Sequence, residues 1–419
     1  MLMSCATACA QCPKPGSPTG SDGSPGAPQA PGPSGDARDA EETVGETKWV
    51  GTWANGPQLT EAGNLPPDPG LAGNTLRQIV FTSIGGTRVR VQLSNAHGND
   101  NVVVKSVRVA KSMGGDRIDA ASDVAVTFSG LPSVTIPAGD EVFSDSFDFP
   151  LEPLTTLAVS MHFGDVPSAV TGHPGSRTTS HIAAGDAAAA PSQPAAATSD
   201  QWYFLTGIDV LAPATAAAVV ILGDSITDGR GSTTNGNNRW PDNLSRRLRQ
   251  NAATSGVAVL NLGIGGNAVL EGGLGPTARQ RFDRDVLAQR GVRWLIILEG
   301  VNDIGSSGTP ATAEGLIGAY EQFVDRAHVA GIRVYGVPIL PFGGSQYDAD
   351  DHESYRQAVN DWIRNSGKFD AVIDLDAAVR DSKNPQVLLP LYDSGDHLHL
   401  SVAGYERMAD AIDLTLFSR

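Results

Sequence analysis

From Ala214 to Arg419 the chain repeats one pattern five times, a short and mostly apolar run followed by a stretch with helical spacing. The runs are 217–222, 257–262, 294–298, 332–337 and 371–375. Apolar runs of this length suit strands covered on both faces, the condition of a parallel sheet. The stretches between them carry helix signals. Pro241 stands at a helix start with Asp242 in the first turn, Leu244 and Leu248 on one face, and Arg246, Arg247 and Arg249 facing water. Residues 314–329 bring Leu316, Ile317, Tyr320, Phe323, Val324 and Ala327 onto one stripe. The alternation predicts an α/β domain over 214–419, a parallel five-stranded sheet with helices on both faces and right-handed crossovers.

Open sheets of this kind bind ligands at the C-terminal ends of their strands, and four short motifs fall at or near those ends. The first strand runs into Gly223-Asp224-Ser225. The second ends in Asn261-Leu262-Gly263-Ile264-Gly265-Gly266-Asn267, where small residues let backbone N–H groups approach a ligand. The third ends in Glu299-Gly300-Val301-Asn302-Asp303, and Asp396-His397-Leu398-His399 precedes the closing helix, expected over 402–416. Taken alone, Asp224 and Ser225 could simply cap a turn.

Together the motifs suit attack on an ester. A hydroxyl attacking a carbonyl needs fixed donors for the oxyanion, and the N–H groups of Ser225 and Gly266 with the side-chain amide of Asn302 would supply them. Serine also needs a base. Asp396 and His399 are close enough for the carboxylate to hold one imidazole nitrogen while the other faces Ser225, so His399 is the expected base. His397 is the rival base, but two residues away it should point elsewhere. Asp224 and Asp303 are expected in supporting roles. A loose dinucleotide fingerprint, Gly263-x-Gly265-x-x-Ala268 with Asp283 downstream, competes with this reading. Asp283, however, falls inside an apparent helix over 279–289 and not at the next strand end, which argues against it.

The net charge of −16 and the absence of a basic stripe argue against a nucleic-acid partner. No apolar run approaches the about 18 residues of a membrane span. Cys5, Cys9 and Cys12 all lie in the first dozen residues, so disulfides are not expected in the fold. The Cys9–Cys12 spacing has no second pair to complete a zinc site. Leu2-Met3-Ser4-Cys5 resembles the end of a bacterial lipoprotein signal, which would place a lipid on Cys5 and the protein outside the cell or at its surface. The Pro/Gly/Ser-rich tract that follows makes residues 1–43 a tether.

Residues 44–213 read as an all-β, sandwich-like domain. In 87–93, Val89, Val91 and Leu93 point one way and Arg88, Arg90 and Gln92 the other. Similar alternation recurs at 124–128, 134–136 and 157–163. Gly85-Gly86 reads as a hairpin turn, 183–198 as an exposed low-complexity loop, and 202–210 as a last strand. Trp49, Trp53, Trp202 and Tyr203 could form a sugar platform, though core packing is the better account. His97, His162, His173 and His181 lack the spacing of metal ligands and read as structural or surface residues.

The strings GDSITDG, GIGGN, GVND and DHLH, in this order, resemble the GDSL or SGNH acylhydrolases, and RGSTTNGNNRWPD, RFDRDVL, RWLIILEGVNDIG and YDSGDHLH resemble a secreted arylesterase subgroup found with xylan-degrading enzymes. The resemblance implies a flavodoxin-like SGNH fold over 214–419, preceded by a β-rich domain. It also implies Ser225 as nucleophile, Gly266 and Asn302 in the oxyanion hole, Asp396 and His399 completing a triad, and no metal or cofactor. Leu400-Ser401 departs from the usual Pro and small polar residue, but Ser401 can still cap the last helix. The expected activity is serine-esterase hydrolysis of short acyl esters, on plant polysaccharide or small aryl and alkyl alcohols. Polar or glycine-rich loops at 230–238 and 272–275, with no apolar lid, favour short chains. A longer-chain lipase or lysophospholipase, and a surface carbohydrate-binding protein with little catalysis, are the alternatives.

Overall fold

The computed structural model describes residues 46–418. The expectations for Cys5, Cys9, Cys12 and most of the tether lie outside them. The described residues belong to one compact unit.

The parallel sheet has five strands, β1 (Ala217–Gly223), β2 (Val257–Gly263), β3 (Val292–Leu298), β4 (Arg333–Gly336) and β5 (Ala371–Val372), in the order β2-β1-β3-β4-β5. This is the flavodoxin-like order. Every residue of β1 is buried, which explains its unbroken apolar character. Among the described residues eight α-helices accompany the sheet: α1 (Ser225–Asp228), α2 (Trp240–Gln250), α3 (Ala278–Phe282), α4 (Val301–Ser307), α5 (Pro310–Val329), α6 (Asp350–Asn365), α7 (Leu375–Val379) and α8 (Val402–Ala411).

Some boundaries differ from expectation for local reasons. The fifth strand is only two residues long because Asp374, paired with Arg364, accepts from the Ala377 N–H and starts α7. The helix expected over 279–289 is α3 followed by a π-helical turn, Asp283–Leu287. The closing helix stops at Ala411, and a short 3-10 turn, Leu414–Phe417, follows.

The region before β1 is antiparallel. One sheet pairs Thr47–Ala54 with Leu205–Pro213 and that strand with Gly86–Ser94, which also carries Glu141–Phe143 and Phe147–Leu151. A second runs Ala197–Ser199, Ser180–Ala183, Thr75–Phe81, Thr156–Phe163, Val102–Lys111, Val124–Val126, with Val134–Ile136 also on Val102–Lys111. A third, small sheet joins Trp202–Tyr203, Thr171–His173 and Gln58–Leu59. Val89, Val91 and Leu93 are buried while Arg88, Arg90 and Gln92 are half-buried, as their alternation requires.

Four expectations for this region are corrected. Gly85-Gly86 is not a hairpin turn, because the strands on either side pair in different sheets. A Cβ on Gly85 would lie 2.1 Å from the Leu151 carbonyl, so this glycine serves close backbone approach. The stretch 157–163 is buried along its length, since it lies between two strands of the second sheet. The stretch 183–198 is pinned in part, with Ala188 and Gln193 buried and Arg77 donating to the Ala188 and Ala190 carbonyls. Residues 202–210 split between two sheets at Phe204, whose φ is 60°. Trp53, Trp202 and Tyr203 are buried, with Trp53 and Trp202 edge to face at 4.9 Å, and Trp49 lies under Arg90. They are packing residues.

The β-rich region and the parallel sheet share one apolar core, to which Val50 and Trp53 contribute beside Val219 and Leu260. Polar bonds cross the seam as well, from Val259 N–H to Ser83 Oγ at 3.1 Å and from Gly51 N–H to the Arg290 carbonyl at 3.0 Å.

Candidate active site

Register decides where the motifs meet. Gly223 of β1 pairs with Gly263 of β2 and with Leu298 of β3, so the residues after all three emerge at one sheet edge. Gly263 has no room for a side chain there, because a Cβ would lie 2.4 Å from the Asp228 nitrogen. The chain leaves β1 through Asp224, which accepts from the Ile226 N–H at 2.9 Å and so caps α1, placing Ser225 on its first turn.

Ser225 Oγ lies 2.8 Å from His399 Nε2. His399 Nδ1 lies 2.7 Å from Asp396 Oδ2, and the Asp396 Oδ1 accepts from the Leu398 and His399 N–H groups. Burial pushes the Asp396 carboxyl up, but the bonds from His399 and Leu398 outweigh it and leave it at about 2, ionised at neutral pH. Burial lowers the His399 pKa; Asp396 opposes that shift, while Arg230 and Arg177 reinforce it. His397 turns away, with Nδ1 2.6 Å from Asp393 Oδ2 and its side chain 55% exposed.

Ser225, Gly266, Asn302, Asp396 and His399 line one cleft of about 500 Å³. Neither the Ser225 nor the Gly266 N–H has an acceptor among the described residues. One hydrogen of the Asn302 amide goes to the Asn267 carbonyl at 2.7 Å, and the amide oxygen accepts from Tyr347 Oη at 2.8 Å. The second amide hydrogen remains available. Asp303 accepts from the Val269 and Leu270 N–H groups, both at 2.9 Å, and so fixes the loop carrying Gly266. Behind this edge Arg281 bridges Asp285 and Glu299. Burial pushes Asp224 up to about 7 and Glu299 well above the usual carboxylate range. The competing nucleotide reading fails locally, because Asp283 pairs with Arg326 at the surface. Among the described residues no group of three or more His, Cys, Asp or Glu could hold a metal, and no helix is long and apolar enough to cross a membrane.

Several cleft residues were not anticipated. Gln58, Glu61, Asn64 and Arg177 come from the β-rich region, whose part in the cleft wall depends on tertiary contacts with no local signature. Glu61 accepts from Gln58 and Asn64. Asp228, on α1 with Ser225, is held by His173 of the β-rich region at 2.9 Å, and His173 also bonds the Gly56 carbonyl at 2.9 Å. Tyr347 lies in the segment between β4 and α6. Its aromatic character alone gave no hint of the bond to Asn302. The arrangement as a whole can pass a proton from a hydroxyl to an imidazole beside free N–H donors, the requirement of acyl transfer.

Residues 221–407 match the profile of the GDSL-like lipase/acylhydrolase family. No curated protein sequence matches the chain. Among solved structures, it is similar to a GDSL-like lipase from Bacteroides thetaiotaomicron (22% identity, 46% of this chain and 84% of that one, TM-score 0.34). It is also similar to a lipase/acylhydrolase from Enterococcus faecalis and to a variant of an acetyl xylan esterase from Geobacillus stearothermophilus, each at 21% identity, 46% of this chain, 92% of the other and TM-score 0.37. Residues 221–407 are therefore a domain of the GDSL-like lipase/acylhydrolase family, which makes the chain a carboxylic ester hydrolase by class.

Proposed function

We propose that the protein is a serine esterase that removes short acyl groups, such as acetyl, from plant polysaccharide or from small aryl and alkyl alcohols. The observation that carries this reading is the bonded series Ser225–His399–Asp396 in a cleft shared with Gly266 and Asn302. Ser225 Oγ attacks the ester carbonyl carbon and passes its proton to His399 Nε2. The N–H groups of Ser225 and Gly266 and the Asn302 amide hold the oxyanion. As the intermediate collapses, His399 returns the proton to the departing alcohol oxygen and an acyl-enzyme remains. Water then repeats the sequence and releases the acid. Asp396 holds His399 in the tautomer that accepts at Nε2.

The polar side chains on one part of the cleft wall, Gln58, Glu61, Asn64 and Arg177, support a polar alcohol and a small acyl group over a long alkyl chain. The test is a nitrophenyl ester series from acetate to decanoate, run beside acid release from acetylated xylan. Rates falling steadily beyond butyrate, together with acetate release from xylan, are expected. A maximum at long chains would replace this reading with a lipase-type one. We propose further that the protein works outside the cell or at its surface, a reading supported by the sequence before and including Cys5. Incorporation of labelled fatty acid into the wild type but not a Cys5→Ala variant tests the lipid anchor.

A further inference from the structure

Among the described residues, Arg177 is a cation without a partner in this cleft. The other charged groups lining it are engaged: Asp396 with His399, Asp228 with His173, Glu61 with Gln58 and Asn64, and Arg230 with Asp396 at 3.9 Å. The Arg177 side chain makes no hydrogen bond or ion pair with a described residue, and its Nε is buried without an acceptor. A buried guanidinium nitrogen left unpaired is unfavourable unless something else satisfies it.

The backbone that presents Arg177 is also unusual. Its φ is 51°, in the left-handed region that disfavours a side chain. The surrounding loop holds it there. Asn235 N–H donates to the Arg177 carbonyl at 2.9 Å, Arg239 donates to the Ser176 carbonyl at 3.0 Å, and Ser176 Oγ bonds both the Thr178 and the Asp200 carbonyls. A clamped, strained arginine with a free fork is built to receive a planar anion, since guanidinium and carboxylate match two bonds to two oxygens.

The side of the cleft follows from the reaction. His399 delivers its proton to the leaving oxygen, so the departing alcohol rests against His399, and Arg177 lines the same cleft as that imidazole. We infer that Arg177 is a specificity residue for esters whose alcohol part carries a carboxylate, which its guanidinium binds beside the leaving oxygen. The inference rests on the esterase reading above. It adds no chemical step, because Arg177 binds and orients while Ser225 and His399 react.

The experiment compares 4-acetoxybenzoate, whose leaving phenol bears a carboxylate, with its neutral methyl ester, in the full chain and in Arg177→Gln and Arg177→Lys variants. Loss of a charge-assisted bond should lower kcat/KM of Arg177→Gln for 4-acetoxybenzoate about tenfold or more, mostly through KM, with the methyl ester changed less than about twofold. Arg177→Lys should recover part of the loss. An unchanged ratio between the two esters in Arg177→Gln overturns the inference, and so does an equal fall for both, which would mark Arg177 as structural. Wild type that cleaves neither ester overturns the esterase reading and this inference with it.

Discussion

Ser225 Oγ and His399 Nε2 stand 2.8 Å apart although 174 residues separate them in the chain. The sheet edge brings one to the other: Ser225 leaves β1 on α1, and His399 arrives just before α8. Ser225→Ala should lower kcat on 4-nitrophenyl acetate about 10⁴- to 10⁶-fold. The hydroxyl contributes no core packing, so the melting temperature should move by no more than about 3 °C. Hydrolysis at near wild-type rate would reject Ser225 as nucleophile.

The pH profile tests the base. His399 must be neutral to accept the Ser225 proton, and burial holds its pKa below the ordinary 6.5. The acid limb of kcat/KM should therefore have its midpoint below pH 6.5, with activity lost as pH falls through the lowered value. Removing a cation that opposes the imidazolium raises the pKa, so Arg230→Gln should move the limb to higher pH. Asp396→Asn removes the groups that favour the imidazolium, and its residual activity should show a limb at lower pH still. The unfolded chain binds the proton near pH 6.5 and the folded one below it, so this group also makes stability fall as pH drops through that window. An acid limb above pH 6.5 in the wild type would show that another group is titrating.

Tyr347 bears on the orientation of the Asn302 amide. An amide can sit either way round, and the Tyr347 hydroxyl on Oδ1 together with the Asn267 carbonyl on the NH₂ selects the orientation that leaves one N–H for the cleft. Asn302→Ala should reduce kcat about 10²- to 10³-fold, as loss of one oxyanion donor does elsewhere. Tyr347→Phe removes a single neutral bond and should reduce kcat about fivefold with little change in KM. A change confined to KM would instead make Tyr347 a wall of the binding cleft.

These residues also show what could be read in advance. Ser225, Gly266, Asn302, Asp396 and His399 were legible because each sits at or near the end of a strand or the start of a helix whose apolar pattern is strong, and strand ends of a parallel sheet converge wherever the loops run. Tyr347, Arg177 and Glu61 were not. Each reaches the cleft from a loop or a short turn with no period, and its place depends on contacts far along the chain. The antiparallel region was misread at Gly85-Gly86 and Phe204 for a related reason: alternation tells which face of a strand is buried but not which sheet it joins.

The β-rich region should matter to the reaction through His173. Its ring nitrogens face two acceptors, the Gly56 carbonyl and the Asp228 carboxylate, and its side chain is only 4% exposed, that of Asp228 1%. His173→Ala leaves Asp228 buried without its partner, which should lower the unfolding free energy by about 3–5 kcal/mol in urea titration. Because Asp228 closes the helical turn that Ser225 opens, kcat should fall as well, in protein that is still folded at 25 °C. Adding Asp228→Asn to His173→Ala removes the uncompensated charge and should recover part of the stability. If His173→Ala leaves both stability and kcat unchanged, the bond between the two regions carries neither fold nor site. If stability falls while kcat holds, His173 is a joint of the fold alone, and the reach of the β-rich region into the reaction is limited to the cleft wall.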